Sequence, residues 1–481
     1  MPTQCTKKKL SFQPLSNRQL EVTFDGGQIT TDGGAPLLRE IDHRLDLIKR
    51  FAEGFTDHRD PDRIEHDLVH LLRQRVYALA LGYEDLNDHD WLRSDQLLSA
   101  IVGKPDPTGE SRSRERDQGQ ALAGKSTLNR LEQAPSAPTR HKKITVNSGR
   151  LESFFVETFL SAYEAERASP PEQIVLDLDA TDDPLHGQQE GIFFHGYYRH
   201  YCYLPLYVFC GDFCLAAILR RSNIDASEGA AFCLSRLIEP IREAWPETRI
   251  IVRGDSAFAR DRIMAFCEKA GIDYVFGLAK NARLKRMVAP WMEERRRKAL
   301  IRGKPARRYK NFWYRTLNSW SKKRHVVAKI EHLGSKANPR FVVTSIDREE
   351  LGAWRLYEDL YCQRGEMENR IKEQQLDLFA DRTSTAQMAS NQLRLWFSTV
   401  AYTLVMLLRR WGLAGIEESS ALTARSYAGT IREKLLKIGA RVKVSVRRVA
   451  VQLAEGYPFG NLLRRVHANL MASGPPARAG P

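Results

Sequence analysis

From Glu172 onward the chain changes character, and the order of its apolar runs leaves few folds open. IVLDLDAT, YCYLPLYVF and FCLAAILR read as strands, with Gly211-Asp212 placed for a hairpin turn between the last two. A helical pattern from Ser227 to Trp245 follows, then the strand RIIVRGDSAF, a helix around Asp261 to Ala270 and the short strand DYVFGLA. Three strands, a helix, a strand, a helix and a further strand predict a mixed α/β layer. The 481 residues show no internal repeat and suffice for roughly two to four domains with a sizeable core.

The acids in these runs are placed for chemistry. Asp177 and Asp179 share one face of IVLDLDAT, because strand side chains alternate, and Asp255 follows the apolar IIV at a strand end. Period alone cannot choose between Asp177 and Asp179. Downstream, Trp354 to Leu378 predicts one amphipathic helix with no Pro and one Gly. Leu360, Met367, Ile371 and Leu378 form its apolar stripe, and Tyr361, Arg364, Glu368 and Gln375 fall beside it within about a sixth of a turn. Glu366 points toward solvent, so the helix lends one carboxylate, Glu368, to a site built mostly elsewhere. The plainer alternative makes Arg364 and Glu368 an i, i+4 ion pair on a wet helix.

Carboxylates at strand ends joined by one from a helix are the residue types of a two-metal site. Such metals activate the attacking oxygen and stabilise the leaving oxygen of a phosphodiester. Hard oxygen donors suit two Mg²⁺ ions, with Mn²⁺ able to substitute, rather than zinc. Clustered carboxylates without a cation would repel one another.

A net charge of +15 makes a polyanion the expected partner, with an anionic membrane surface as the competitor. Against membrane insertion, the most apolar run, Leu395 to Leu408, is too short to span and is closed by Arg394 and Arg409. The beginning MPTQCTKKKL lacks a signal-peptide core, and seven cysteines with no CxxC pair argue against a disulfide framework, so a cytoplasmic protein is expected. Between Lys280 and Leu351 the chain is densely basic, with Trp291, Phe312, Trp313, Tyr314 and Trp320 interleaved. Runs such as NFWYRTL, HVVAKIEHL and PRFVVTSI predict antiparallel strands, and Arg307, Arg308 and Trp313 are candidate DNA contacts there. A solvated basic face with its own aromatic core is the bland reading.

Elsewhere the signals are weaker. Gly26-Gly27 and Gly33-Gly34 suggest turns around short strands, and Leu68, Leu71, Leu72, Val76 and Leu79 mark a helix face. His66 and His70 lack a third metal ligand nearby. Residues 104 to 143 are polar and rich in Arg and Ser, which predicts a mobile connection. Within it Gly119 to Ser126 matches GxxxxGK[ST], but SRSRERDQ cannot be the buried strand that a P-loop requires. The division expected is a mostly helical DNA-end-binding domain (1–103), a linker with connecting helices (104–170), a core in two parts (171–279 and 352–413), a basic β-rich insertion (280–351) and a basic C-terminal region (414–481) with a disordered tail after Ser473.

Taken together, Asp179-Ala180-Thr181, the strand-end Asp255 and Tyr361-xx-Arg364-xxx-Glu368 resemble the DDE transposases of the bacterial IS4-like group. The blocks FDGGQITTDGG, LDLDATDDPLHG and RGDSAF are most similar to the IS1380 family, over about Phe24 to Leu463. The resemblance implies an RNase H-like core interrupted by a β-rich insertion, with Asp179, Asp255 and Glu368 as catalytic metal ligands and Asp177 behind them. It implies double-stranded DNA as partner, a homodimer in the DNA complex, metal-dependent cleavage at transposon ends and strand transfer into target DNA. Tyr361 and Arg364 would then contact phosphates near the scissile bond. The chain departs from the family pattern at Gln375, seven residues after Glu368, where a Lys is expected. Lys372, a further DNA-binding candidate, reads as lying on a different face of the helix. Two other functions compete: a P-loop NTPase acting on nucleic acid through Lys125, and a catalytically silent DNA-binding protein of transposase origin.

Overall fold

The computed structural model describes residues 9–333, 336–416 and 421–472; the tail after Ser473 lies outside the described residues. The chain forms two compact units. One comprises residues 49–58 and 132–406, the other residues 9–48, 59–131 and 407–472. No helix among the described residues is long and apolar enough to cross a membrane.

The larger unit is built on one mixed sheet. Its strands are β1 (Gln173–Ala180), β2 (Leu206–Cys210), β3 (Phe213–Ile218), β4 (Arg249–Gly254), β5 (Asp273–Leu278), β6 (Ala306–Tyr314), β7 (Arg324–Leu333), β8 (Lys336–Ala337) and β9 (Arg340–Thr344). They lie in the order β3-β2-β1-β4-β5-β9-β7-β6, with β8 paired to β7. β1, β4 and β5 run parallel, and β2 is antiparallel to both β1 and β3. The β2–β3 turn passes through Gly211 at φ 57°, a left-handed conformation suited to a two-residue hairpin loop. The parallel connections are made by α2 (Ala230–Ala244) and α3 (Asp261–Lys269), as a parallel crossover requires. Before β1, α1 (Ser148–Glu166) sets Phe159 edge-on to Phe213 and to Trp245. Later, α6 (Met388–Leu407) brings Tyr402 against Phe209 and its hydroxyl to the Asp212 carbonyl at 2.7 Å.

The interval between Lys280 and Leu351 opens with a 21-residue helix, α4 (Ala282–Arg302), rather than a strand. NFWYRTL, HVVAKIEHL and PRFVVTSI do supply β6, β7 and β9. These strands extend the same sheet antiparallel from β5, so the hydrogen-bonding edge of β5 is covered. One core cluster then runs through Ile251, Val275, Val327, Val342, Ile346, Leu356 and Tyr357, tying the parallel strands, the extension and the start of the next helix together.

That helix does not hold one period. An α turn (Ala353–Arg355) leads into a π-helical stretch (Leu356–Tyr361) and a 3₁₀ turn (Cys362–Arg364). Then come α5 (Gly365–Lys372) and a second π stretch (Glu373–Asp377). Met367, Ile371 and Leu378 are buried, Leu360 is half-buried and Glu366 is exposed, as the apolar stripe predicted. The wide turns re-aim the residues beyond α5, and Glu373 and Gln374 become buried.

In the smaller unit, Gln28–Thr30, Ala440–Ser445 and Arg448–Leu453 make a three-stranded sheet from opposite ends of the sequence. Leu71, Leu72, Val76 and Leu79 of the helix Leu68–Ala80 are buried. The expectation of a mobile stretch after residue 104 is corrected here: Ala121, Leu122 and Ala123 are buried, and the Gln74 carboxamide bonds both the Ala123 carbonyl (2.8 Å) and its N–H (3.0 Å). A buried Gln satisfied on both ends holds that backbone in place, which a composition reading could not foresee. His66 takes a hydrogen bond from Arg112 while His70 pairs with Asp67, so the two imidazoles are committed to different partners.

Candidate functional site

Because β1 and β4 are parallel neighbours, with Gly254 beside Leu178, both strands end at the same edge of the sheet. Asp179 and Asp255 therefore emerge together, at the carboxyl ends of parallel strands where open α/β sheets place their ligands. Glu368 of α5 joins them in one open cleft of about 690 Å³, whose wall also carries Arg364, Lys372 and Gln375.

Asp179 accepts the Ala180 N–H at 2.9 Å through Oδ1, and its Oδ2 lies 3.5 Å from Arg364 Nη1. Burial pushes its carboxyl up to about 7. The like charges of Asp255 and Glu368 act in the same direction, and Arg364 opposes. Asp255 Oδ1 accepts the Ala257 N–H at 2.9 Å, which fixes the turn after β4. Arg364 Nη2 donates to Glu368 Oε1 at 2.5 Å. The i, i+4 pair therefore forms, and its guanidinium also reaches across to the strand acid. Among the described residues no three metal-ligating side chains already converge on one point.

Asp177 stands two residues from Asp179 on the same strand face and has a different fate. It is 5% exposed, and Arg253 of the adjacent β4 donates to it twice, at 2.5 and 2.7 Å. Arg253 also donates to the Leu360 carbonyl, so this buried pair clamps β1, β4 and the approach to α5. Arg253 was missed in the sequence reading; its signal was a lone charge inside an apolar strand, on the same face as Ile251 and Asp255.

Tyr361 does not line the cleft. A Cβ on Gly277 would stand 2.6 Å from its hydroxyl and 3.2 Å from the Asp255 carbonyl carbon, so Gly277 is a close-approach position. Its ring packs against the core cluster and Tyr357. Lys372 does line the cleft, which corrects the reading of a different face: four residues turn a helix about 40° past one full turn, not to its far side. Gln375 is turned inward, donating to the Asp182 carbonyl (3.1 Å) and to Asp183 Oδ1 (2.9 Å). Asp183 is fully buried, and burial pushes its carboxyl up to about 8. A neutral carboxamide therefore sits at the position where the resemblance expects Lys, braced against a buried acid.

Arg307, Arg308 and Trp313 are not brought to the cleft; they sit on β6, the far edge of the sheet. Arg307 faces Glu331 (3.2 Å), Arg308 faces Glu294 (3.1 Å), and Trp313 is 65% exposed. The P-loop match fares no better. Lys125 opens the helix Lys125–Glu132, no strand lies among residues 104–124, and its Nζ is held by Asp90 (2.8 Å) and Asn87 (3.1 Å).

No curated protein matches the chain. Among solved structures, the cryo-EM structure of a piggyBac transposase synaptic complex with hairpin DNA aligns over 93% of this chain and 86% of that chain. Identity is 11% and the TM-score 0.38, too low to argue a common fold. The family described as transposase DDE domain group 1 matches residues 12–475, nearly the whole length, and the chain belongs to that family of DDE transposases.

Proposed function

We propose that this chain is an insertion-sequence transposase of the IS4-like group, nearest in kind to the IS1380 family. In this reading it binds the terminal inverted repeats of its element and catalyses metal-dependent cleavage and strand transfer. The observation that carries the reading is the convergence of Asp179, Asp255 and Glu368 from two parallel strand ends and one helix on a single cleft. The order β3-β2-β1-β4-β5, with β1, β4 and β5 parallel, supports an RNase H-like core, and the helix and strands of residues 280–351 are the insertion within it. The smaller unit is assigned to DNA-end binding.

The donor set suits divalent metal, because three carboxylates bordering one cleft supply hard oxygens. Asp179, Asp255 and Glu368 would hold two Mg²⁺, with Mn²⁺ as substitute. Bound there, such ions activate the attacking oxygen and stabilise the leaving oxygen of a phosphodiester. Arg364 neutralises Asp179 and Glu368 from within the cleft, and its guanidinium suits phosphate equally well. We assign it to the phosphate beside the scissile bond, with Lys372 on the same wall. Tyr361 supports the Asp255 turn from behind, and Asp177 acts through Arg253 to hold β1 in register with β4. Arg307, Arg308 and Trp313 form a separate DNA contact on the sheet edge. Two ends must be held at once, so a homodimer on double-stranded DNA is expected, acting in the cytoplasm at the nucleoid.

The test is nicking of a labelled duplex carrying the element's own end, in Mg²⁺, Mn²⁺ or EDTA. Asp179→Ala, Asp255→Ala and Glu368→Ala should each abolish nicking while end binding survives, and Glu366→Ala should change little. Full activity in any of the three variants removes that residue from the site. Binding without nicking under every metal condition would favour a silent DNA-binding protein.

A further inference from the structure

The cleft has a wall that the acidic trio does not explain. After β1 the chain passes through Asp183–Pro184 and folds Phe193–His195 against His200–Tyr203 as a small antiparallel hairpin. This hairpin is fastened to the end of β1 at two points. The Tyr198 hydroxyl lies 3.4 Å from the Ala180 carbonyl, next to Asp179, and His200 Nε2 stands 2.7 Å from Asp182 Oδ2. Its tip is closed by the Arg199 N–H on the His195 carbonyl at 2.8 Å.

Strand alternation gives the hairpin two aromatic faces. Phe194 and Tyr201 sit opposite one another and pack edge-on at 5.5 Å, which accounts for them as a cross-strand pair. His195 and Tyr198 pack with their rings tilted, centroids 4.8 Å apart, and both line the cavity that holds Asp179, Asp255 and Glu368. Tyr197 is different. It lines the same cavity yet is 84% exposed, and its ring meets Tyr198 in a T-shaped pair at 5.1 Å. Folding gains little from a ring left so wet. Beside it Arg199 adopts φ 62°, a left-handed conformation that Gly or Asn would take with less strain. An exposed aromatic ring and the His195 imidazole therefore border the cleft.

We propose that this hairpin is a nucleotide-binding element in which Tyr197 stacks on one unpaired base of the strand being cut, next to the phosphate that enters the cleft. A π face suits any base, which permits stacking without sequence readout. Lys372 lines the same cavity as Tyr197 and carries charge for a flanking phosphate. Tyr198 is a positioning residue, tying the platform to the backbone beside Asp179.

The proposal rests on the DNA-cleavage reading, and its test separates the two. The probe is a labelled duplex copied from the end of the element, opened by a few unpaired nucleotides at the cut, with each of these replaced in turn by an abasic site. Wild type should lose roughly ten- to hundredfold in affinity when one base is removed. Tyr197→Ala should show the same loss on the intact probe and no further loss on the abasic one, whereas Tyr197→Phe, which keeps the ring, should stay close to wild type. Thermal unfolding checks that Tyr197→Ala is folded, as its exposure leads us to expect. Equal abasic penalties in wild type and Tyr197→Ala overturn the proposal while leaving cleavage intact. So does a Tyr197→Phe as weak as Tyr197→Ala, or a Tyr197→Ala that alters only self-association. Wild type that neither binds nor nicks the duplex end overturns the cleavage reading and this proposal with it.

Discussion

Two regions of the larger unit carry charge in opposite ways. The extension formed by α4, β6 and β7 is the most basic stretch of the chain, yet many of its cations are paired where they stand. Arg296 and Arg297 meet Glu293, Lys298 and Arg308 meet Glu294, Arg307 meets Glu331, and Lys329 meets Glu358. Arg324, 2% exposed, is held by Asp261 and Glu268 from α3. At the β1 and β4 ends, by contrast, three carboxylates face Arg364 and Lys372. Density of Lys and Arg along a sequence is thus a poor guide to unanswered charge. The sparse cleft has the larger electrostatic demand, and the crowded extension offers cations that must exchange one partner for another.

The widest contrast lies along β1, between two acids on one strand face, and breaking it should give the largest effects. Asp177→Ala would leave Arg253 buried without its counter-charge, a loss of roughly 3–5 kcal/mol in stability. Asp179→Asn removes a carboxylate that its neighbours already repel, so the fold should keep its stability or gain slightly while nicking disappears. Urea unfolding of both variants beside a nicking assay checks this. An Asp177→Ala protein as stable as wild type, or an Asp179→Asn protein that still nicks, would erase the distinction drawn between them.

Arg364 comes next in size, because it serves both sides of the comparison. Removing a guanidinium that spans two acids and is proposed to face the scissile phosphate should cost about a hundredfold in nicking, comparable to losing one preorganised donor. Arg364→Lys should recover only part, since an ammonium cannot span two partners as a planar fork does. The same Arg364→Ala protein should show a larger Mg²⁺-dependent rise in melting temperature than wild type, because the acids then lack their built-in cation. An unchanged Mg²⁺ response would mean that Arg364 and metal do not share these carboxylates.

How much of this was readable beforehand follows from the range of each interaction. Strand alternation and turn residues are local, so β1, β3, β4, β5 and the apolar stripe of Met367, Ile371 and Leu378 were legible, whereas YCYLPLYVF, read as one strand, divides at Leu204-Pro205 into His200–Tyr203 of the small hairpin and β2. So was the placement of Asp179 and Asp255 at strand ends, since an apolar run stops where the acid begins. The separation of Asp177 from Asp179 was not, because it depends on Arg253 in a neighbouring strand and both acids obey the same period. The π turns on either side of α5 escaped for the same reason: a 3.6-residue wheel assumes the hydrogen bonding that these turns abandon. The Tyr197 hairpin left a local trace, GYYRHY, but nothing in it said that the tip would border the acids. Gln28–Thr30 pairing with Ala440–Ser445 has no local signature at all.

The smallest effect belongs to the basic edge, and it sharpens the comparison most. Arg308 and Glu294 are both about 40% exposed, and exposed pairs of this kind contribute only about 0–1 kcal/mol, so Arg308 can turn to phosphate at little cost, whereas Arg307 would have to leave the buried Glu331. If both do, Arg307→Ala and Arg308→Ala should each lower the slope of log affinity against log salt by about 0.9, with nicking at saturating DNA unchanged. Trp313→Ala, lacking a charge, should weaken binding without altering the slope. Slopes equal to wild type in both arginine variants would mean that Glu331 and Glu294 keep their partners when DNA is present. These two arginines would then be structural, and the DNA-binding charge of this chain would have to lie elsewhere, with Arg364 and Lys372 at the cleft the first places to look.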